Sequence, residues 1–373
     1  MAQAVLTTGK KSIVVDAHED LAWNHALFDR DCMLSAEETR RQESSTSIPK
    51  WIGDSLVGYP DWIAGNIGIV FATLFLTPER RRVAAWEQLV YQNCEDAHQQ
   101  YSHQLDYYHR LVERHQDKLE LIATKPHLLT HLDACYEQQN SVPRVGLVIL
   151  MEGADAIRSP SEVDEWHQRG VRIVGPAWGS TRYAGGTGEP GALTADGRDL
   201  LDRMAEQELI LDVSHMSDQG VFESVDRYSH ALIASHSNPR ALLPRSPFPE
   251  RHLADDAIRA IAGRDGIIGV ALYNPFLKDG WMRSDRREEV TLDHAVDCID
   301  YICQLVGNAH HVGIGSDFNG GFGLDSAPAG LDSVADLGLI GDRLLARGYS
   351  QKHVDAILGA NWIGLLKRAL PEG

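Results

Sequence analysis

The chain has 373 residues, of which 43% are apolar and 24% are charged, a composition typical of a folded globular protein. It excludes a disordered, a collagenous and a small disulfide-stapled protein. Aspartate and glutamate outnumber lysine and arginine by 53 to 35, so the net charge is −18. A field of this sign repels phosphate backbones and anionic lipids, and we therefore expect neither nucleic-acid binding nor membrane binding.

Three further features of the sequence bear on the location of the protein. The longest apolar run, from Ile67 to Leu76, is far shorter than the ~18 residues that span a bilayer. The opening segment, MAQAVLTTGKKS, lacks the basic and apolar regions of a secretion signal. The five cysteines are odd in number and have no CxxC spacing, which favours reduced packing residues. We therefore expect a cytoplasmic protein.

Short runs of apolar and β-branched residues alternate with segments of helical spacing along the chain. The runs predict eight strands, at Ser12–His18, Ile67–Leu76, Val145–Gly153, Arg172–Trp178, Leu209–His215, Ala231–Ser237, Gly266–Tyr273 and His311–Phe318. The helical spacing predicts helices at Val83–His115, Gly197–Glu206, Asp218–Tyr228, Asp255–Ala262, Thr291–Val306 and Val334–Arg347. Because most strands are continuously apolar, they are typical of a buried parallel sheet.

Eight strands separated by helices predict a (β/α)8 TIM-type barrel, and a doubly wound open sheet fits the strand count less well. The long connections after the first and second strands require extra helices, and Val83–His115 is expected to wrap outside the barrel. Neither an internal repeat nor a low-complexity linker interrupts the sequence. We therefore expect a single domain over residues 1–373.

The predicted strands end in polar residues, at the end of a barrel that normally carries the active site. The first strand leads into His18 and Asp20, which an HxD spacing places on one side of the strand. The other strand ends carry Glu152, His215, His236 and Asp317. Any one of the 17 histidines is more readily explained as a solvated residue. Their joint placement at equivalent points of the repeat predicts a metal site.

The ligand types restrict which metal centre is expected. Imidazole and carboxylate ligands without thiolate suit zinc, manganese, iron or cobalt. Three histidines and two carboxylates exceed the three protein ligands of a single hydrolytic zinc, so two divalent ions are the simpler interpretation. Two such ions can share a carboxylate and supply both a nucleophile and a Lewis acid. Glu152 is the natural bridging carboxylate.

Six short motifs occur in a characteristic order: DAHEDLAW, LMEGAD, LDVSHMSD, IASHSNPR, RHLADD and IGSDFNGG. In this order they resemble the membrane (renal) dipeptidase family of zinc metallopeptidases, over about residues 13–366. The resemblance implies a (β/α)8 barrel with two zinc ions. It also implies that His18 and Asp20 bind the first zinc, that Glu152 bridges, and that His215 and His236 bind the second.

The same resemblance implies roles for three further residues. Arg251 would hold the C-terminal carboxylate of the substrate, a role that suits a guanidinium group because it pairs through two hydrogen bonds. Asp317 would take a proton from the attacking water and pass it to the leaving amine, although a role as a strand-end cap is the alternative. Tyr273 would line the substrate cleft, unless it is a core aromatic residue.

One position departs from the family pattern. The better-known members carry a Thr-His pair after the fourth strand, and its histidine helps to stabilise the tetrahedral intermediate, whereas this chain has Trp178 in place of that histidine. Indole has one N–H donor and cannot carry a proton, so we expect a slower or differently specific hydrolysis. Arg182 is the nearest residue in the sequence that could supply the missing positive charge, although a solvated loop arginine is the alternative.

Other enzyme signatures are weak or missing. The GxGxxG pattern from Gly186 to Gly191 contains Pro190 and opens no helix, so we interpret it as a loop. The sequence contains neither a GxSxG nor a P-loop motif, and therefore offers no starting residue for a serine hydrolase or an NTPase.

These observations support three hypotheses about function. The leading one is a binuclear zinc dipeptidase acting on small dipeptides with a free C-terminal carboxylate, where the family resemblance also implies acceptance of a C-terminal D-residue. The second keeps the metal centre but changes the substrate to an N-acyl amino acid, a lactone or an ester. The third is a catalytically silent metal-binding barrel, and the presence of all five metal ligands with Arg251 and Asp317 argues against it. The sequence does not determine the oligomeric state, and a homodimer is one possibility.

Overall fold

In a computed structural model, which describes residues 12–137 and 143–373, strands and helices alternate as the sequence predicts. The opening segment MAQAVLTTGKKS, where the sequence lacks a secretion signal, lies outside the described residues except for Ser12. The strands are β1 (Val14–Glu19), β2 (Ile67–Leu74), β3 (Leu119–Leu121), β4 (Val145–Glu152), β5 (Val171–Gly175), β6 (Ala184–Gly186), β7 (Glu189–Leu193), β8 (Ile210–Asp212), β9 (Leu232–Ile233), β10 (Ile268–Val270) and β11 (Val312–Ile314).

The α-helices surround the sheet and are numbered in chain order. They are α1 (Leu21–Phe28), α2 (Ala36–Glu43), α3 (Ile48–Ile52), α4 (Tyr59–Ala64), α5 (Cys94–Arg114), α6 (Lys125–Glu137), α7 (Val163–Gln168), α8 (Ala195–Glu206), α9 (Asp218–Arg227), α10 (Asp255–Gly263), α11 (Asn274–Leu277), α12 (Leu292–Val306), α13 (Leu339–Ala346), α14 (Gln351–Asp355) and α15 (Asn361–Ala369). A π-helical turn at Ala356–Ala360 joins the last two.

Eight parallel strands form a barrel, in the order β10, β11, β1, β2, β4, β5, β8 and β9. Ala234 follows β9 and Ile268 begins β10, and a parallel bridge between these two residues closes the ring. The backbone N–H of Gly269 donates to Ala234 across this junction at 2.8 Å. The (β/α)8 prediction is therefore confirmed, since an open doubly wound sheet would leave β9 and β10 as unpaired edges.

The barrel strands are buried on both faces. Every residue of β2 and of β4 is buried, which explains why their sequences are continuously apolar rather than alternating. Helices cover the outside of the barrel, and α6 and α15 pack with strand residues in a second apolar cluster. As a result, the polar residues at the strand ends lie against a rigid, close-packed framework.

The extra helices lie where the long connections predict them, with α1 to α4 between β1 and β2, and α5, β3 and α6 between β2 and β4. The predicted helix at Val83–His115 is wrong at its start, because α5 begins only at Cys94. The Asn93 side chain caps it by accepting from the N–H of Asp96 at 3.0 Å. Before this cap, the Glu87 carboxylate accepts from the N–H of Val83 at 3.0 Å and fixes a non-helical connection.

Two predictions from composition concern the cysteines and the membrane. All five cysteines are free thiols, and four of them are buried, as expected for packing residues. Across residues 12–137 and 143–373, the helices lack the combination of length and hydropathy that crossing a membrane requires.

The GxGxxG segment, predicted as a loop, forms most of a hairpin in which β6 and β7 pair antiparallel. Thr187 and Gly188 form its tip, and Gly188 adopts a φ of 74°, which glycine tolerates without strain. A Cβ atom on Gly186 would lie 2.3 Å from the carbonyl oxygen of Gly179. Glycine at position 186 therefore lets the hairpin pack directly on the loop that follows β5.

Candidate metal centre

The carboxyl ends of five barrel strands converge at one buried cluster of histidines and carboxylates. Three groups within it could each hold an ion, because their ligand atoms lie within 4.8 Å of one another. The groups are His18, Asp20 and Glu152; Glu152, His215 and His236; and His18, His236 and Asp317. The structure thus brings together every predicted metal ligand. It also places Asp317 close enough to His18 and His236 to bind an ion with them.

Glu152 lies between the two halves of the cluster. Its Oε2 atom is 3.5 Å from Nε2 of His18, and its Oε1 atom is 2.9 Å from Nε2 of His215. The same Oε1 atom is 3.3 Å from Nε2 of His236. One carboxylate therefore presents a different oxygen to each half, which is the arrangement expected of a group that bridges two ions.

The polar atoms of the cluster fit a cation. His18 is fully buried, and both of its ring nitrogens lack a hydrogen-bond partner, which is costly for an imidazole unless a ligand contacts it. The Nε2 atoms of His215 and His236 point at each other at 3.0 Å. Imidazole nitrogens and carboxylate oxygens converging at such distances are typical ligands of divalent transition metals.

Burial and mutual charge shift the titration of the whole cluster. Burial raises the pKa of Asp20 to about 6 despite the nearby His18, and it raises the pKa of Asp317 well above its usual range. Burial lowers the pKa of His18, but Glu152 and then Asp20 outweigh this and raise it to about 10. Burial, with the charge of Arg251, lowers the pKa of His215 to about 4. A bound cation would favour the ionised carboxylates that burial disfavours.

Two residues of the cluster have unusual backbone conformations. His215 has a φ of 65° and Asp317 a φ of 61°, both in the left-handed region that few non-glycine residues adopt. His215 lies in the turn that follows β8 and Asp317 in the turn that follows β11, so both side chains belong to the carboxyl end of the barrel. Strain of this kind concentrates at functional sites, where the surrounding structure holds it in place.

Several hydroxyl groups hold the candidate ligands from behind, and sequence reasoning did not find them. Thr73 donates to Asp20. The Ser235 hydroxyl lies 2.8 Å from Nδ1 of His236, and that of Thr187 lies 2.9 Å from Nδ1 of His215. Ser235 was detectable, since it directly precedes His236, whereas nothing in the local sequence marks Thr187.

Arg251 lies beside the cluster and is buried. Its guanidinium donates to the carbonyl of His236 at 2.9 Å and to the hydroxyl of Ser237 at 3.3 Å, and it lies 5.0 Å from the ring centroid of Phe276. Its Nε atom is buried without a partner. A buried guanidinium with an unused donor fits the binding of an anionic group.

Trp178 lies next to His215, and Tyr273 packs among other aromatic rings. The half-buried Trp178 ring lies 6.1 Å from that of His215 and 5.1 Å from that of Phe75. Tyr273 packs against Phe322 at 4.5 Å. Burial raises the pKa of Tyr273, which the charge of Arg283 lowers and the charge of Asp317 raises.

Arg182, the candidate source of positive charge near Trp178, is directed elsewhere. Its guanidinium binds Asp196 at 2.6 Å and lies over the ring of Tyr183. Arg81, from the connection after β2, instead lies 5.2 Å from the ring centroid of Trp178. The role of Arg182 as a source of positive charge is therefore wrong, and its alternative as a loop arginine is supported, because its side chain pairs with Asp196 while Arg81, distant in sequence, covers the indole.

Comparison with known proteins identifies the family. A family model described as membrane dipeptidase (peptidase family M19) matches residues 2–370. A Klebsiella pneumoniae protein, described as an uncharacterized protein in the pqqA 5′ region, is 33% identical over 234 residues, which cover 60% of this chain and 82% of that protein. The dipeptidase tcpJ of Claviceps purpurea is 24% identical over 314 residues, which cover 82% of this chain and 67% of that protein.

Solved structures share the fold. The probable dipeptidase PvdM from Pseudomonas aeruginosa has a TM-score of 0.78 at 18% identity, covering 97% of this chain and 96% of that one. A metallopeptidase from Rhodobacter sphaeroides, liganded with a phosphinate mimic of L-Ala-D-Ala, has a TM-score of 0.76 at 22% identity, covering 96% and 100%. With nearly its whole length matching the family model, the chain belongs to the membrane dipeptidase family and is a metallo-dipeptidase, a hydrolase of peptide bonds.

Proposed function

We propose that the chain is a binuclear zinc dipeptidase that hydrolyses dipeptides with a free C-terminal carboxylate and accepts a D-residue at the C-terminal position. The observation that carries this proposal is the position of Glu152, whose two oxygens face His18 on one side and His215 on the other at 3.5 and 2.9 Å. His18 and Asp20 would hold one ion, and His215 and His236 the other. When bound, divalent ions supply a Lewis acid for the scissile carbonyl and lower the pKa of a water molecule.

The chain's own residues would bind the substrate and move the proton. Arg251 would pair with the C-terminal carboxylate, because its guanidinium is buried and has an unused N–H. Asp317 would accept a proton from the attacking water and deliver it to the leaving amine. Its carboxylate lies 3.9 Å from Nε2 of His18, within the same cluster, and its strained backbone holds it at this end of the barrel.

Acceptance of a C-terminal D-residue is supported by a structural relative. The Rhodobacter sphaeroides metallopeptidase was solved with a mimic of L-Ala-D-Ala. In this chain Arg251 would bind the terminal carboxylate, while the proposed ions would contact the scissile carbonyl. An anchor of this kind reads the carboxylate itself and does not require one configuration at the neighbouring carbon.

The second candidate, hydrolysis of N-acyl amino acids, is favoured by the surroundings of Trp178. Its ring, with Phe75 at 5.1 Å, gives an apolar wall beside His215 where the family's better-known members carry a histidine. An acyl group would bury apolar surface against this wall without needing a partner for a free amine. The two candidates share the metals and Arg251, and differ only in the N-terminal half of the substrate.

Elemental analysis followed by a substrate panel tests the proposal. We expect two zinc ions per chain, and hydrolysis of L-Xaa-L-Xaa and L-Xaa-D-Xaa dipeptides at higher kcat/KM than of matched N-acyl amino acids. Glu152→Gln should lower both the metal content and the activity. A single ion per chain, unchanged by Glu152→Gln at full activity, would rule out the binuclear scheme, and a preference for N-acyl substrates would select the second candidate.

Removal of the Arg251 guanidinium tests how the substrate is anchored. Arg251→Ala should lower kcat/KM for free dipeptides by about 10²-fold or more, the order expected for loss of a charged hydrogen bond within the site. The matched dipeptide amides, which lack the carboxylate, should be affected little. Steady-state kinetics on both series measures the difference, and equal losses on both would show that Arg251 does not bind the carboxylate.

A further inference from the structure

The β6–β7 hairpin contacts two separate parts of the proposed site through adjacent residues. At its tip, Thr187 Oγ1 lies 2.9 Å from Nδ1 of His215. The next residue, Gly188, donates its N–H to Oε1 of Glu250 at 2.7 Å. Glu250 directly precedes Arg251 in the chain. One turn of two residues therefore touches both a candidate metal ligand and the segment that carries the candidate carboxylate anchor.

The contact with His215 has the geometry of a support for a metal ligand. Nε2 of His215 faces Glu152, so Nδ1 is the nitrogen left to donate to the Thr187 hydroxyl. A hydrogen bond at the second nitrogen commonly fixes the orientation of a ligating imidazole. His215 needs such support, because its backbone adopts a φ of 65° and its side chain would otherwise depend on a strained turn alone.

The hairpin also holds the backbone that follows His215. The N–H of Ser217 donates to the carbonyl of Gly185 at 3.3 Å, and the Ser217 hydroxyl donates to the carbonyl of Gly191 at 2.5 Å. Gly186 pairs with Met216 in an antiparallel bridge. Both strands of the hairpin are thus attached to the turn that presents His215.

Charged residues from the connection after β2 hold the hairpin in turn. Arg80 binds the Glu189 carboxylate at 3.0 Å, and Arg81 donates to the carbonyl of Thr187. The N–H of Thr187 donates to the carbonyl of Trp178 at 2.9 Å. These contacts attach the tip of the hairpin to the connection after β2 and to the loop after β5.

We propose that Thr187 is a positioning residue for His215, and that the Gly188–Glu250 contact positions Arg251, so that the hairpin sets the separation between the metal centre and the carboxylate anchor. The inference rests on the proposed function. In a dipeptide one residue separates the scissile carbonyl from the terminal carboxylate, so both ends bind only if this separation is correct. Misplacement of reacting groups by about 1 Å can lower a rate by roughly 10²-fold.

The first half of the proposal is tested by zinc affinity, measured by competition with a chromogenic chelator. Thr187→Val keeps the shape of the side chain and removes the hydroxyl, and it should weaken zinc binding by about 10- to 100-fold. Thr187→Ser retains the hydroxyl, so its zinc affinity should stay within about threefold of the parent's. A change of that size is smaller than the loss of at least about tenfold expected for Thr187→Val. Thr181→Val is the control for the loop as a whole, because the Thr181 hydroxyl bonds the carbonyl of Pro176 and the N–H groups of Tyr183 and Ala184 rather than His215.

Zinc affinity of Thr187→Val equal to that of the parent would overturn the first half of the proposal. If Thr187→Val does not fold, Thr187→Ala replaces it, with circular dichroism of the metal-free protein as the check on folding. Equal weakening in Thr187→Val and Thr181→Val would also overturn it, since the effect would then arise from the loop as a whole rather than from the hydrogen bond to His215.

The second half is tested by kinetics on substrates of different length. Glu250→Ala removes the acceptor for Gly188, and it should raise KM for free dipeptides by about 10-fold while leaving zinc affinity and the KM for dipeptide amides unchanged. The ratio of dipeptide to tripeptide hydrolysis should fall. Glu250→Gln keeps an amide oxygen as acceptor for Gly188, so its KM for free dipeptides should lie close to that of the parent.

An equal rise in KM for amides, or loss of zinc, would overturn the role of Glu250. The outcomes also separate this inference from the proposed function. A zinc-loaded parent that hydrolyses no dipeptide would overturn the proposed function, and with it the Arg251 half of the inference, while the zinc affinities of the Thr187 variants would still decide the first half. A parent that hydrolyses dipeptides, with Thr187→Val binding zinc normally, would overturn the Thr187 half alone.

Discussion

Trp178 shows how one residue can change an otherwise familiar site. Its indole lies between Phe75 and His215, with the Arg81 guanidinium over its face. Indole donates one hydrogen bond and carries no proton, so it cannot act as an acid toward the tetrahedral intermediate. Its contribution beside the metal centre is apolar surface.

Replacement of this tryptophan tests that interpretation. Trp178→His should change the ranking of dipeptides, favouring small over large apolar N-terminal residues, while leaving the metal content unchanged. The restored donor should raise kcat by at most about 10²–10³-fold, the range expected for one donor to an oxyanion. Kinetics on a dipeptide series with elemental analysis measures both effects, and an unchanged substrate profile would show that Trp178 is a packing residue.

Two arginines serve as a matched pair in the same experiment. Arg81→Ala removes the cation over the indole and should shift the same substrate ranking. Arg182→Ala should not, because that guanidinium binds Asp196 and points away from the indole. An effect of Arg182→Ala larger than that of Arg81→Ala would contradict the arrangement seen in the structure.

Among the larger elements, α5 has a direct structural connection to the site. Its tyrosines donate to the carbonyls at the ends of the neighbouring strands, Tyr108 to Thr73 and Tyr101 to Glu152, both at 2.8 Å. The Tyr101 hydroxyl also accepts from the N–H of Leu76 at 3.3 Å. These strand-end groups are buried, where water cannot replace a lost partner. The helix therefore supports the backbone that presents the bridging carboxylate.

Removal of one hydroxyl from α5 tests this support. Tyr101→Phe should lower the free energy of unfolding by about 1–3 kcal/mol, because it leaves a buried carbonyl and a buried N–H with one partner fewer. Tyr107→Phe in the same helix is the control. Within the described residues, the Tyr107 hydroxyl has one hydrogen-bond partner, the thiol of Cys32 at 3.6 Å. Urea unfolding measures both, and equal stability of the two variants would contradict the proposed support.

At the scale of the whole molecule, the proposed ligands connect distant parts of the barrel. His18 lies in β1 and Glu152 ends β4, while Asp20, His215, His236 and Asp317 follow β1, β8, β9 and β11. Ions held by this set would link strands on opposite sides of the ring. Since the unfolded chain does not keep these residues together, bound metal stabilises the folded state alone.

Chelation should therefore lower the melting temperature. Stabilisation by a ligand at 1,000 times its dissociation constant is about 4 kcal/mol, so removal of the ions should cause a shift that calorimetry readily detects. Added zinc should restore the original value. Glu152→Gln should show a smaller difference between the loaded and the chelated protein, and an identical melting temperature after verified metal removal would contradict a stabilising metal centre.

Much of the barrel and of the candidate site followed from the sequence by itself. The strand β4, predicted at Val145–Gly153, is observed at Val145–Glu152, and the other seven barrel strands also lie within or next to their predicted runs. The reason is physical: parallel barrel strands are buried on both faces and read as continuous apolar runs, and functional residues gather where these runs end. The alternation of strands and helices therefore predicts which polar residues lie close together at the end of the barrel.

Only the tertiary structure decided which residues support and surround that cluster. The cation over Trp178 is Arg81, nearly a hundred residues away in the chain, and the hydroxyl behind His215 comes from the hairpin that the sequence marked only as a loop. The start of α5 likewise depends on the Asn93 cap and on the connection that Glu87 holds. Sequence patterns report the periodicity of one element at a time, whereas these contacts arise when the barrel closes and brings separate loops to the same end.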